Sequence, residues 1–263
     1  MNAIVPKTAF APVSTVEAGL EADDPRRGAV IALGNFDGFH VGHLYLLETA
    51  RDMAGDAPFA AMSCEPHPVS LFRPQSPRFR IASATQKAWR AAEIGLSYLF
   101  QPRFDPDFAA LTPEEFLHDT LIGGLGIKGI VVGEDFRFGR DRAGDTGFLE
   151  THCARSGIEL RVVKKLPGYS STRVRQAIQR GDLDAAADML GRPWHAEVTF
   201  DGCHMQIEAS QILPPPGQYI LRKRATGEVI SSHLDAEGAL HGPVTIEPGS
   251  ASWAFLRLIA SAA

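Results

Sequence analysis

The sequence predicts an α/β chain, a parallel sheet covered by helices on both faces with a small β domain after it. Three observations lead there. Short apolar runs alternate with longer helix-patterned segments from Gly28 to Gly191, which is the signature of βαβ units. After Trp194 the texture changes to short extended runs between Gly and Pro, as in a small antiparallel sheet or barrel. The length, 263 residues with 44% hydrophobic and 22% charged content, suffices for one main core and a lesser one.

The elements follow in order. "GAVIALG" (28–34) reads as a buried strand and "VGHLYLLETARDMAG" (41–55) as a helix. "FAAMSC" (59–64) is the second strand. "SATQKAWRAAEIG" (83–95) is a helix opened by a capping box, Ser83 with Gln86, and closed by Gly95. "LSYLF" (96–100) is a strand. "TPEEFLHDTLIGG" (112–124) is a helix capped by Thr112, with Pro113 at its first position and Glu115 completing the box. "IKGIVVG" (127–133), "DTGFLETHCARSG" (145–157) and "IELRVV" (158–163) read as strand, helix and strand. "STRVRQAIQRG" and "DLDAAADMLG" are two short helices. The expected organisation is an N-terminal extension (1–25), a sheet domain (26–192) and a small β domain (193–263).

Composition narrows the function. A net charge of −5 argues against a general nucleic-acid or membrane-surface binder. No apolar run approaches the ~20 residues that span a bilayer, and the N-terminus carries no secretory pattern. Cys64, Cys153 and Cys203 are sparse, odd in number and without CxxC spacing, so free thiols in a reducing compartment are expected, and a cytoplasmic location. Self-association into a homo-oligomer stays open.

Chemistry gathers in four stretches. "GNFDGFHVGH" (34–43) ends the first strand and opens the first helix, where ligands collect in an open parallel sheet. Free N–H groups and the positive dipole end suit phosphate there, and His40 and His43, three apart, face one side. The glycines could instead only tighten a turn, and either histidine could be a satisfied surface residue. A metal held by Asp37, His40 and His43 lacks a dedicated third histidine. In "YSSTRVRQAI" (169–178) Ser170 or Ser171 can cap a helix whose first turn carries Thr172, Arg173 and Arg175; it could also be an ordinary capped helix with solvent-facing arginines. Arginine opposes the dipole there unless an anion is bound. "CEPHP" (64–68) fixes Glu65 and His67 between prolines, and in "GEDFRFGRDRAGD" (133–145) Phe136 and Phe138 could pack on a planar ring.

Together these stretches resemble the bacterial FAD synthetases, the FMN adenylyltransferase modules of bifunctional riboflavin kinase/FAD synthetase enzymes, over about residues 28 to 193. The resemblance implies a Rossmann-like nucleotidylyltransferase fold, with ATP over the HxGH turn and Mg²⁺ across its phosphates. FMN would attack the α-phosphorus to give FAD and pyrophosphate. His40, His43, Ser171, Thr172 and Arg175 would be the catalytic set. Gly34, Asn35, Phe36, Gly38 and Gly42 would join them around ATP. Asp37, Glu65, Pro66, His67, Asp135, Phe136 and Phe138 would contact flavin. No resident protein metal site is expected. The family's kinase barrel carries GxPTAN, yet no asparagine follows Asn35. The tail resembles a reduced kinase barrel without its site, so riboflavin kinase activity is not expected. "KKLPGY" (164–169) is also shorter than the family's segment, which bears on the acceptor pocket and leaves nucleotidyl transfer to another phosphorylated acceptor as an alternative. A non-catalytic flavin- or nucleotide-binding regulator is an alternative of a different class.

Overall fold

The structure, a computed structural model, describes residues 11–72, 78–200, 204–242 and 249–261. Its sheet domain has six parallel strands: β1 (Thr15–Val16), β2 (Val30–Leu33), β3 (Phe59–Met62), β4 (Tyr98–Phe100), β5 (Gly129–Gly133) and β6 (Glu159–Val163). Their order is β1-β4-β3-β2-β5-β6. β1 lies inside the segment expected as an extension; Thr15 and Val16 pair with Leu99 and Phe100 and lengthen the sheet by one edge strand.

The helices are α1 (Val41–Ala54), α2 (Pro68–Phe72), α3 (Ala84–Ile94), α4 (Pro106–Ala109), α5 (Pro113–Glu115), α6 (Thr146–Ser156), α7 (Ser171–Gln179) and α8 (Leu183–Leu190). Alternation along β2 divides its side chains between two cores. Val30 and Ala32 pack with Leu47 and Ala50 of α1, whereas Ile31 and Leu33 pack with Phe116, Leu121 and Leu149 on the other face. The sheet is therefore covered on both sides, as its buried strands require.

The expected capping boxes form at Ser83 and at Thr112. The helix from Thr112 departs from α geometry after Glu115 and runs as a π-helix from Phe116 to Leu125. That wider i→i+5 turn brings Phe116 and Leu121, five apart, to one buried side.

The tail forms a closed barrel of β7 (Trp194–Phe200), β8 (Met205–Ile207), β9 (Gly217–Lys223), β10 (Val229–Leu234), β11 (Ala239–His241) and β12 (Gly249–Ser261), in the order β10-β11-β8-β7-β12-β9. Closure removes the open edges a small sheet would expose. The short β11 was hidden in a charged stretch. Asp235 accepts from the backbone N–H groups of Glu237 and Ala239 and turns the chain back onto β10. One of the short extended runs expected after Trp194, "GPVTIEP" (242–248), lies mostly outside the described residues, as does Cys203; Cys64 and Cys153 are free and buried.

The barrel does not stand apart. Val174, Ala177 and Ile178 of α7 and Leu183, Ala186 and Leu190 of α8 share one apolar cluster with Trp194, Val198, Tyr219, Leu221 and Phe255. Leu190 is fully buried in that cluster. Leu190→Ala should cost about 2–5 kcal/mol, the range for a buried leucine that leaves a cavity. Denaturant unfolding measures it; a loss below about 1 kcal/mol would mean that the two units hardly lean on each other.

Candidate active site

The order of strands puts a switch point beside β2. The chain moves from β2 to β3 on one side, then returns to place β5 on the other, and the crevice beyond such strand ends is where ligands enter. The loop after β2 fills this place. It is a strained loop: Phe36 and Phe39 have φ of 45° and 47°, unusual for bulky residues and sustained only by surrounding packing. Both rings are buried, stacked at 5.5 Å. Gly38 has φ of 85°, and a Cβ there would lie 2.7 Å from Ile81 Cγ2.

His40 is the N-cap of α1, its Nδ1 accepting from the backbone N–H of His43. An accepting Nδ1 leaves the ring proton on Nε2 when the ring is neutral. The His40 and His43 rings stack at 3.6 Å, so the two do share a side. A Cβ at Gly42 would press on the His40 ring at 3.2 Å and on Tyr169 at 3.3 Å, so glycine lets the segment before α7 close on this turn. His43 Nδ1 is buried without a partner among the described residues. Burial drops the His40 pKa to about 4, against the pull of Asp37. Burial, then the neighbouring His40 and Arg175, holds His43 well below the usual range. Both rings are neutral at neutral pH.

The carboxylate of Asp37 is buried and fully engaged. It accepts from the backbone N–H of Ile81 at 3.0 Å and of Ala82 at 3.2 Å, and from Arg175 Nη2 at 2.6 Å. Burial alone would raise its pKa; Arg175 and the nearby His67 outweigh that and hold it below the usual carboxylate range. Arg175 also donates from Nε to the Phe79 carbonyl at 2.9 Å and lies 3.7 Å above the Phe79 ring. The anion that an arginine needs at this helix start is thus supplied by the chain itself, because the Asp37 loop folds against the start of α7.

Ser170 caps α7 by accepting from Arg173, and Ser171 Oγ donates to the Asp37 carbonyl at 3.4 Å. Thr172 and Arg173 are exposed beside them. The fold thus brings His40, His43, Asp37, Ser171, Thr172 and Arg175 to one cleft. Gly34 and Asn35 precede Asp37 in the same loop, Asn35 exposed, and the Asn35 carbonyl accepts from Ser63 Oγ at 2.6 Å. Phe36 supports His43 from below, edge to ring at 5.1 Å, with its own ring buried.

A second charged cluster adjoins the first. Glu65 at the end of β3 pairs with Arg80, and Lys87 Nζ reaches Glu65 at 3.1 Å and Ser63 Oγ at 2.7 Å. Burial pushes Glu65 up, but Lys87 and Arg80 hold it below its usual range; burial and Arg80 together lower Lys87. Pro66 is exposed. His67 is buried next to the Phe79 ring, its Nδ1 accepting from Val69 N–H, and burial lowers its pKa to about 4.

The loop after β5 is tied elsewhere. Asp135 pairs with Lys165 at 2.6 Å in solvent, and Arg137 pairs with Asp145. Phe136 and Phe138 stack on each other at 5.5 Å, and Phe138 is a core residue between Phe116 and Phe148. Sequence reasoning missed Ser63, Phe79, Arg80 and Lys87. A signal existed for Lys87, which sits with Ala88 and Ala91 on the buried side of α3, where a lysine needs a reason.

Fold and cleft together define a doubly wound α/β protein with a histidine-lined helix entrance at its switch point. The chain belongs to the FAD synthetase family, whose model matches residues 22–177. It is 36% identical over 176 residues to a bifunctional riboflavin kinase/FMN adenylyltransferase of Escherichia coli K12, a match covering 65% of this chain and 56% of that one. It is 32% identical over 199 residues to an FAD synthetase of Listeria monocytogenes, covering 73% of this chain and 80% of that one. The chain thus spans little more than half the length of the Escherichia coli relative. In fold it is similar to a solved structure titled a macrolide-efflux protein from Streptococcus pneumoniae, with a TM-score of 0.78, 22% identity, and coverage of 95% and 91% of the two chains. Among the described residues no helix is long and apolar enough to cross a membrane.

Arg175→Ala strands the buried Asp37 carboxylate with its two backbone donors only. It should lower the stability of the ligand-free protein by about 2–3 kcal/mol, somewhat under the figure for a fully buried pair that loses one partner. An unchanged melting temperature would mean that Asp37 does not depend on this arginine.

His40, His67 and His195 each fall to about 4, burial being the main cause. The unfolded chain then takes up protons from about pH 6.5 downward while the folded one stays neutral, so the stability present above about pH 6.5 is lost progressively toward pH 4. Thermal melts should show a clear fall between about pH 7.5 and about pH 5; a flat or rising profile would place these rings in solvent.

Proposed function

We propose that the protein transfers the adenylyl group of ATP to FMN, giving FAD and pyrophosphate, and that it does not phosphorylate riboflavin. The observation that carries this reading is the convergence of the HxGH turn and the SST–Arg175 helix start on one cleft through Asp37, within a chain of the FAD synthetase family.

ATP would lie with its triphosphate between the starts of α1 and α7, where first-turn N–H groups and two dipole ends favour anions. His40 Nε2–H, His43, Ser171, Thr172 and Arg175 would donate to the phosphate oxygens. A phosphate oxygen of FMN attacks the α-phosphorus, the bond to the bridging oxygen breaks, and charge accumulates on the leaving pyrophosphate. Fixed donors aimed at that charge lower the barrier without a covalent enzyme intermediate. Mg²⁺ enters as part of the substrate, MgATP. Among the described residues no group of three or more His, Cys, Asp or Glu side chains is arranged to hold a metal, and magnesium is commonly carried by substrate phosphates with one or two carboxylates.

The flavin would sit toward the ends of β3 and β5, near Pro66 and Phe136. Glu65, His67 and Phe138 would shape that end from within, since their side chains are engaged by the protein. The barrel would be a kinase-like remnant: residues 193–263 contain no asparagine, and hence no GxPTAN stretch.

Purified protein with ATP, Mg²⁺ and FMN should yield FAD and pyrophosphate, identified by mass, whereas riboflavin in place of FMN should yield neither FMN nor FAD. His43→Ala should lower turnover on the order of 10²–10³-fold, the usual loss for one donor to a developing charge. Another phosphorylated acceptor turned over in place of FMN would redirect the reading to that acceptor. Detectable FMN from riboflavin would overturn the barrel's catalytic emptiness.

A further inference from the structure

Residues 79–82 form a strap that lies between the barrel and the cleft, and its peptide groups alternate between the two. On the barrel side, the Ser210 carbonyl accepts from Phe79 N–H at 2.9 Å and Arg80 N–H at 2.8 Å, and Ile212 N–H donates to the Arg80 carbonyl at 2.9 Å. The Ile81 carbonyl accepts from Trp194 Nε1 at 2.9 Å and from Gln211 Nε2 at 3.1 Å. On the cleft side, Ile81 and Ala82 N–H donate to Asp37, and the Phe79 carbonyl accepts from Arg175.

Both barrel donors are buried, Gln211 at 0% exposure and Trp194 at 1%. The Gln211 amide is itself fixed. Its Oε1 accepts from Glu197 N–H at 2.6 Å, and its Nε2 also faces Gln86 Oε1 and the His195 carbonyl. Arg192, at the junction, adds a hold on the loop by donating to the Gly38 carbonyl at 3.2 Å. A carbonyl clamped by two buried donors cannot shift without stranding polar groups away from water.

We propose that the barrel is a positioning element for the nucleotide site. Trp194 and Gln211 fix the Ile81 carbonyl, and the strap thereby sets Asp37 and Arg175 at the spacing that receives the triphosphate. This goes beyond the reading above in giving the catalytically empty barrel a task, and it rests on ATP being the ligand of that cleft. Neither residue touches the nucleotide; both act through the strap.

The test compares Trp194→Phe and Gln211→Leu with Tyr219→Phe, whose lost hydroxyl donates to the Pro215 carbonyl inside the barrel and away from the strap. MgATP affinity is measured by calorimetry without acceptor, alongside melting temperature. Loss of one clamping bond should raise the dissociation constant about tenfold in each strap variant, and the KM for ATP with it. Tyr219→Phe should bind as the wild type does even where it melts lower. A merely structural role would not move this readout, because unfolded molecules reduce binding stoichiometry and leave the dissociation constant of the remainder unchanged. Should Gln211→Leu fail to fold, Trp194→Phe decides. Dissociation constants within about twofold of wild type in the strap variants, or an equal rise in Tyr219→Phe, would overturn the proposal. A wild-type protein that binds no MgATP would instead overturn the nucleotide reading itself.

Discussion

A charged carboxylate in a protein interior must be compensated on every side, and Asp37 is compensated by three separate pieces of chain. Its own loop follows β2, its two backbone donors belong to the strap, and its cationic partner is on α7. Removing the cationic partner alone would cost about 2–3 kcal/mol, so the buried charge favours placing the three segments together. The two helix starts are held together through that requirement. His40 and His43 are held at the mouth of α1 by the same loop, whose φ angles are tolerable only while Phe36 and Phe39 stay packed.

The neighbouring cluster repeats the logic one strand over. Glu65 leaves β3, Lys87 comes from α3 and Arg80 from the strap. Lys87 is nearly inaccessible, and a lysine in that position is tolerable only with an anionic partner and a hydrogen bond, here from Glu65 and to Ser63. The strap therefore takes part in both clusters, with Arg80 in one and its backbone in the other. A segment with so many obligations on its cleft side needs support behind it, and the barrel is what lies there. The shared apolar cluster of α7, α8 and the barrel wall keeps that support in contact with the helix that carries Arg175.

Much of this was legible in the sequence where chemistry is local. The capping boxes at Ser83 and Thr112, the caps before α6 and α7, and the alternation of strand and helix are written within a few residues of where they act. The histidine pair could be read because three residues of helix fix its geometry. What could not be read is long-range. Nothing near Arg175 says that its anion lies 138 residues earlier, and nothing near Phe79 says that it will carry a guanidinium on its face. Phe136 and Phe138 show another limit of the same kind. Two aromatic residues in a charged turn suggest a ligand platform, and the turn alone does not reveal that Phe138 also packs with Phe116 and Phe148 in the core. The strand β1 went unseen because two residues are too few to show a period, and π-helical winding left no trace because its apolar spacing overlaps that of an α-helix.

The neutrality of the histidines follows first from burial, which removes the water that would solvate a cation, with Arg175 adding to it at both rings and Asp37 opposing it at His40. A protonated histidine there would be expensive in the free protein. On the proposed adenylyl transfer, it would attract the triphosphate before the chemical step as well as the charge that develops during it, and binding both equally would not speed that step. A neutral ring, with its Nδ1 occupied by the His43 amide and its proton kept on Nε2, contributes direction instead of charge. Under the proposed function the division of labour is physical: the arginine and the helix dipoles would attract the anion, and the histidines would present hydrogen-bond donors whose value grows as charge moves onto the oxygens in front of them.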